Sequence, residues 1–290
     1  MPSLRTHIEQ LASARRWTYR ASRETMAEPA ALSSIALAAH GELDAALAPA
    51  AWLADMQQSD GSVGVSAAES EPRWPTSLAM LAWSVVDRLG DSARFTDCIG
   101  RAALWSLSDR GKSAPQSPKV GHDTTLVGWS WAADTASWLE PTCYHVLGLA
   151  AAGYEGHPRV AEGVRLISNR LLPDGGANYG NTFVLGQQLV PHIAPSGIAL
   201  AALAGRSSND SRIAGTLRYL QGAIGETTTP LSLSWALIGL TAHGWRPLFA
   251  DDWIEAAFRN EAWRPLAHYE QALLLIAAKS EVFGPAPVPA

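Results

Sequence analysis

Two kinds of helix alternate along this sequence, and the hydrophobic pattern separates them. In the first kind, for example residues 160–171, apolar residues recur every three or four positions and charged residues fill the other faces. This spacing predicts a helix with one buried stripe. In the second kind, for example residues 198–203 and 231–240, nearly every position is apolar, which predicts burial on all sides. The alternation therefore predicts two concentric layers of helices.

Prolines mark where the apolar helices begin. Proline suits the first helical turn because no amide hydrogen is needed there and its φ already has the helical value. Five apolar helices open on a proline: Pro29, Pro75, Pro141, Pro195 and Pro230. Six two-helix units can be drawn on this basis, over residues 4–41, 42–90, 91–154, 156–206, 207–247 and 248–280.

Six hairpins whose second helices face inward predict an all-α fold, an (α/α)6 barrel. An open helical solenoid is the alternative, but its units usually repeat at near-constant length, whereas these prolines are unevenly spaced. We expect residues 1–283 to form this single domain and residues 284–290 to form a proline-rich C-terminal tail. The longest connection, residues 106–127, is interpreted either as a lid over one rim or as a surface loop.

Composition narrows the classes of partner. The 290 residues are 47% hydrophobic and 17% charged, enough for a large core. A net charge of −5 gives no electrostatic basis for binding nucleic acid. The first residues lack a secretion signal and no apolar run is long enough for a transmembrane segment. We therefore expect a cytoplasmic protein, with peripheral membrane contact left open.

Two glycine-rich turns carry a resemblance to a known family. The segments Gln57-Gln58-Ser59-Asp60-Gly61-Ser62 and Pro173-Asp174-Gly175-Gly176-Ala177 resemble the Q-x-x-D-G-G-W repeat of squalene–hopene cyclases and the prenyltransferase/squalene-oxidase superfamily. The segment from Trp129 to Thr142 resembles a recurrent segment of bacterial proteins that carry this repeat. The resemblance implies the same α/α toroid and a divergent member, because Val63 and Ala177 stand where the repeat normally has tryptophan.

The catalytic groups of that superfamily are incomplete here. Its cyclases use a D-x-D-D cluster followed by Thr-Ala, of which only Asp134 remains, before Thr135. A single carboxyl without helpers should protonate an alkene poorly, and a helix or turn cap explains Asp134 equally well. The zinc-binding prenyltransferases use an Asp and a Cys two apart. That pair is absent, and Cys143 and His145 point in different directions on a helix, so we predict no metal and no cofactor.

Aromatic residues and two glutamates supply the remaining candidates. Twelve tryptophans serve either as packing or as a lining that stabilises a cation or stacks on a sugar. Glu28 and Glu140 occupy equivalent helix N-termini, either to complement the helix dipole or as a carboxylate pair aimed into a mouth. We predict Asp134 and Glu140 as catalytic residues. The predicted substrate-binding residues are Trp74, Trp129, Trp131, Trp138, Asn178, Tyr179 and Asn181.

Three functions follow from these features. The first is a terpenoid-cyclase-like toroid with an aromatic-lined cavity for an apolar, isoprenoid-like ligand, which as an enzyme would be an isoprenoid cyclase or transferase. The second is a non-catalytic toroid that binds a lipid or a protein partner, as the missing acid cluster and zinc ligands suggest. A glycan-processing barrel is the third. The sequence leaves open whether the protein is catalytic.

Overall fold

The computed structural model describes residues 4–19, 24–206 and 210–279, and in these ranges nearly all of the regular secondary structure is helical. The described residues form twelve α-helices and one two-stranded antiparallel sheet. The helices are α1 (Leu4–Ala12), α2 (Ala27–Ala39), α3 (Leu43–Asp55), α4 (Thr76–Leu89), α5 (Thr96–Ser108), α6 (Leu139–Ala151), α7 (Pro158–Asn169), α8 (Ile193–Leu203), α9 (Ser211–Ala223), α10 (Pro230–Ala242), α11 (Ala250–Arg259) and α12 (His268–Ala278). The strands are β1 (Phe183–Val184) and β2 (Gln187–Gln188). The predicted tail, residues 284–290, lies outside the described residues.

The even-numbered helices form a closed inner ring. Each packs against the next even-numbered helix, and α12 packs against α2 to complete the circle. The odd-numbered helices form the outer layer, in which each lies against two inner helices. The predicted all-α barrel of six hairpins is therefore confirmed.

The two layers have the predicted burial. In α10 every residue from Leu233 to Leu240 is buried, whereas α7 buries one face that includes Val160 and Ile167. Glycine lets neighbouring inner helices approach closely. A Cβ atom on Gly197 of α8 would lie 2.3 Å from the carbonyl oxygen of Trp235 in α10, a distance that no side chain tolerates.

The prolines stand at the starts of the inner helices, as predicted. Pro230 is the first residue of α10, Pro75 directly precedes α4, and Pro29, Pro141 and Pro195 are third in their helices. These positions have no intrahelical partner for an amide hydrogen, so proline costs no hydrogen bond there. The sixth inner helix, α12, begins instead with Glu270 accepting a hydrogen bond from the Ala267 amide.

Long and short connections lie at opposite ends of the barrel. The chain enters inner helices through long loops, which include residues 56–75, 109–138 and 170–192. It leaves them through short turns such as residues 40–42 and 152–157. We call the end that carries the inner-helix N-termini the mouth. No helix among the described residues is long and apolar enough to cross a membrane.

Candidate functional site

Three long loops enter the mouth along the same path. In each, a hydroxyl in the first turns of an inner helix accepts a hydrogen bond from a backbone amide of the preceding loop. The pairs are Val63 with Thr76 (2.8 Å), Trp129 with Thr142 (3.1 Å) and Ala177 with Ser196 (2.8 Å). Each hydroxyl also donates to a carbonyl at the start of its own helix. These bonds pin the loops to the inner ring.

Trp129 does not line the mouth, contrary to the prediction. It is fully buried, its indole donates to the Ser106 carbonyl at 2.8 Å, and its ring stacks on His145. The guanidinium of Arg159, a residue of α7, lies 3.8 Å from the centroid of the Trp129 ring. Trp129 is thus the counterpart of Val63, since both are buried and both bond through the amide to the first threonine of the next inner helix. The signal in the sequence was the equal separation of 13 residues between Val63 and Thr76 and between Trp129 and Thr142.

The loop over residues 109–128 is tied to α7 by buried arginines. Arg159 donates to the carbonyls of Val127 and Gly128, both at 2.7 Å, and Arg170 donates to the carbonyl of Asp123 at 3.1 Å. Burial lowers the pKa of both guanidinium groups to about 10, but both stay charged at neutral pH. These bonds favour the interpretation as an ordered surface loop over that of a free lid.

Eight side chains gather at the mouth and form what we call the acid–aromatic cluster. Its two carboxyl groups sit at the second position of α2 and α6. Its aromatic members come from α6, α10, α12 and the loops before α2, α4 and α6. The cluster consists of Glu28, Glu140, Tyr19, Trp74, Trp131, Tyr144, Trp235 and Tyr269.

The rings of the cluster make a continuous chain of contacts. Trp131 meets Trp74 edge-on at 4.9 Å between centroids, and Trp74 stacks on Tyr144 at 6.0 Å. Tyr144 contacts Trp235 at 5.9 Å, and Trp235 lies beside Tyr269. The chain ends where Tyr269 contacts Tyr19 at 5.1 Å. Such pairs prefer the edge-on and offset geometries found here.

Both carboxyl groups of the cluster have a pKa close to neutral pH. Burial raises the pKa of Glu28 to about 7, with the charge of Glu140 acting in the same direction and a hydrogen bond donated by the Tyr19 hydroxyl acting against it. Burial likewise raises the pKa of Glu140 to about 7. Burial and the two nearby carboxyl charges also raise the pKa of Tyr144. The site therefore carries two groups that exchange protons near neutral pH.

Asp134 lies outside this cluster. Its side chain is 86% exposed and pairs with the Lys112 ammonium at 3.3 Å, and its φ of +63° is that of a left-handed turn. The position fits the turn interpretation of Asp134 and does not fit a buried acid.

The residues predicted on the glycine-rich turn that follows α7 lie in different environments. Asn178 is held by backbone bonds, since its amide donates to the Val190 carbonyl at 2.8 Å and its oxygen accepts from the Tyr179 amide. Tyr179 is about half exposed and contacts His192. Asn181 lines a cavity of about 110 Å³ beside the mouth, together with Trp138. Neither Trp138 nor Asn181 belongs to the acid–aromatic cluster.

Four aromatic residues of the cluster were not predicted from the sequence. A positional signal existed for three of them. Tyr269 is second in α12, as Glu28 and Glu140 are in their helices. Tyr144 and Trp235 are both sixth in their helices, one turn deeper. Tyr19 carried no such signal, because it lies in the connection between α1 and α2.

The described part of the chain shows no cluster of metal-ligating side chains. No group of three or more His, Cys, Asp or Glu side chains there is arranged to hold a metal ion. Cys143 and His145 are both buried in α6, and the His145 ring hydrogen-bonds to the Pro141 carbonyl at 2.8 Å.

Comparisons with known proteins find likeness in fold but not in sequence family. No family model matches the chain, and no curated protein matches it. Among solved structures, the chain is similar to the Y1175G mutant of Salmonella alpha-2-macroglobulin, with a TM-score of 0.57 and 14% identity. It is similar to the same Salmonella protein reacted with methylamine (TM-score 0.56, 15% identity) and to the native conformation of E. coli alpha-2-macroglobulin (TM-score 0.54, 16% identity).

These matches concern one region of much longer chains. Each covers 96% of this chain and 17% of the other. At such low identity the likeness shows the fold alone. The similar structures named here are alpha-2-macroglobulins, so membership of the terpenoid cyclase superfamily remains a prediction.

Proposed function

We propose that the acid–aromatic cluster is a binding site for an apolar, isoprenoid-like small molecule. The observation that carries the proposal is the unbroken chain of six aromatic rings around two carboxyl groups with a pKa of about 7. Binding sites for small molecules are mostly apolar, with a few convergent polar groups and perturbed pKa values. The cluster has each of these properties.

The state of the carboxyl groups suits such a ligand. With a pKa of about 7, Glu28 and Glu140 each spend about half their time protonated at neutral pH. A neutral carboxyl is far less costly to cover with an apolar ligand than a carboxylate. Aromatic faces beside them can also stabilise positive charge on a ligand.

The same pKa values limit the chemistry that the site would perform. A carboxylic acid with a pKa of about 7 is too weak to protonate an unactivated alkene, but it matches the requirement for general acid–base catalysis at neutral pH. If the site turns over, we therefore expect Glu140 to transfer a proton to or from an activated group. Asp134 is no longer a candidate for this role.

A protein-binding toroid is the second candidate function. It is favoured by apolar side chains exposed on the hairpin of the mouth rim, where Leu185 is 83% exposed and Val190 is 67% exposed. In the alpha-2-macroglobulins, the region with a similar fold is one part of a longer chain. A free single-domain enzyme would gain nothing from an exposed apolar rim.

Ligand binding can be tested with matched tryptophan variants. We would look for a co-purifying lipid by native mass spectrometry and titrate the protein with a fifteen-carbon isoprenoid alcohol, following tryptophan fluorescence. Trp131→Ala should weaken binding by roughly tenfold, since one aromatic contact contributes about 1 kcal/mol beyond its buried area. Trp245→Ala is the control, because Trp245 follows the C-terminus of α10 at the opposite rim.

The outcomes separate the two candidates. Loss of binding in Trp131→Ala but not in Trp245→Ala, with unchanged circular dichroism, supports the proposed site. Glu140→Gln that keeps binding but abolishes turnover of the bound compound supports catalysis. If no lipid co-purifies and no isoprenoid alcohol binds, the proposal is wrong, and capture of a protein partner sensitive to Leu185→Ser would support the second candidate.

A further inference from the structure

The cavity that Trp138 and Asn181 line lies beside the mouth, between the loop over residues 109–138 and the loop over residues 170–192. Its volume is about 110 Å³, several times the ~30 Å³ that a water molecule occupies in the liquid. Polar and charged side chains from both loops and from the end of α7 line it. The main ones are Lys112, His122, Thr124, Arg170 and Asn181.

Two buried side chains of this cavity have polar atoms without a partner. His122 is 7% exposed, and its Nδ1 has no hydrogen bond. Arg170 is 3% exposed, and its Nε has none. The remaining Arg170 bonds go to Asn169 Oδ1 and the Asp123 carbonyl through one terminal nitrogen. Buried polar groups nearly always have partners. Both nitrogens are covered by neighbouring protein atoms, so each would reach a ligand in the cavity after a rotation of its side chain.

The charge of the lining selects the class of ligand. Lys112 and Arg170 are cationic, and no carboxylate lines the cavity. The neighbouring acids lie outside the lining. Asp123 accepts hydrogen bonds from Thr125, and Asp134, which is 86% exposed, pairs with Lys112. A guanidinium and an ammonium that converge on a confined space favour an anionic oxygen group.

We propose that this cavity binds a small oxyanion, either a phosphate or a carboxylate group. Arg170 would donate from its guanidinium and His122 from its ring after these rotations, and Lys112 would close the open side. Bound anion would satisfy the two bare nitrogens and offset the buried charge of Arg170, whose pKa burial lowers to about 10. The site is separate from the acid–aromatic cluster, so it stands or falls independently of the proposed function.

Two lysines of the same loop provide a matched test. Lys112 lines the cavity, whereas Lys119 does not. We would titrate the whole protein with inorganic phosphate and with acetate, by calorimetry and by following the His122 ring in NMR spectra. Lys112→Ala and His122→Asn should each weaken binding by roughly three- to tenfold. Lys119→Ala should leave it unchanged.

The outcomes decide the proposal. Saturable binding of phosphate, lost in Lys112→Ala and kept in Lys119→Ala, supports a tetrahedral ligand, and the same pattern with acetate alone supports a carboxylate. Arg170 is not substituted, because it also holds the loop at Asp123. Binding weaker than about 10 mM for both anions, or equal loss in the two lysine variants, would show that the cavity holds only water and overturn the proposal.

Discussion

Replacing Glu28 by Gln tests the electrostatics of the mouth most directly. The side chain is 8% exposed, and burial raises its pKa from 4.5 to about 7. Because each pKa unit corresponds to about 1.4 kcal/mol, ionising this buried group costs the fold about 3 kcal/mol above pH 7. Gln has a similar shape, can accept the hydrogen bond of the Tyr19 hydroxyl and never ionises.

The sign of the effect follows from proton linkage. A carboxyl whose folded-state pKa is raised binds more protons in the folded state than in the unfolded state between pH 4.5 and 7. Its contribution to stability is complete below pH 4.5 and is lost as the pH rises through 7. Glu28→Gln should therefore match the parent protein near pH 4.5 and be more stable by up to about 3 kcal/mol at pH 8.

Urea unfolding at several pH values measures this difference. Comparing variant with parent at each pH removes the contributions of buried His145 and His122, whose lowered pKa values act in the opposite direction. Glu69→Gln, on the exposed loop between α3 and α4, controls for the loss of a carboxylate without burial. A difference between Glu28→Gln and parent that does not change with pH would refute the reasoning.

Three further predictions concern the packing of the loops. Arg159→Met should lower the free energy of unfolding by about 3 kcal/mol and expose residues 109–128 to limited proteolysis, because several loop carbonyls lose their donor. Thr142→Val should cost about 2 kcal/mol in urea unfolding, because it leaves the buried Trp129 amide without an acceptor. Gly175→Ala should cost about 3 kcal/mol or more by the same measurement. The φ of Gly175 is +97°, and the added Cβ would lie 2.2 Å from the carbonyl carbon of Gly215.

Each of these variants has a matched control. Arg165→Met is exposed on the same helix as Arg159 and should protect the loop as well as the parent does. Thr227→Val removes a hydroxyl from an exposed position and should change stability by less than about 0.5 kcal/mol. Gly153→Ala has φ of +86° but open space around it, so about 1 kcal/mol is expected. Equal effects in variant and control would contradict the assigned contact.

The fold was predictable because its signals are local. Apolar helices such as residues 231–240 and prolines such as Pro230 report burial and helix starts directly, since both depend on residues within one helix. The order of the hairpins then fixes their neighbours. Closure of the ring requires one contact between helices that are distant in sequence, α2 and α12. The inward-facing pattern of all six hairpins already required that contact.

The site was less predictable because its members are far apart in sequence. Glu28 and Tyr269 meet only because the ring brings α12 beside α2, and no spacing in the chain encodes that contact. Trp129 and Trp131 show the reverse difficulty. They are two residues apart in one loop, yet one packs between the helix layers and the other faces the mouth. Tryptophan content alone cannot distinguish these two environments.

Closure of the inner ring limits how this protein can change in size. An open helical stack can lengthen by adding a hairpin at either end, because its terminal units have a free face. In a closed circle every inner helix already has a neighbour on each side, so a seventh hairpin would have to break an existing contact. Growth is then confined to the connections, of which the long loops at residues 109–138 and 170–192 lie at the mouth. The barrel can thus acquire new specificity by lengthening loops while its number of helices stays constant.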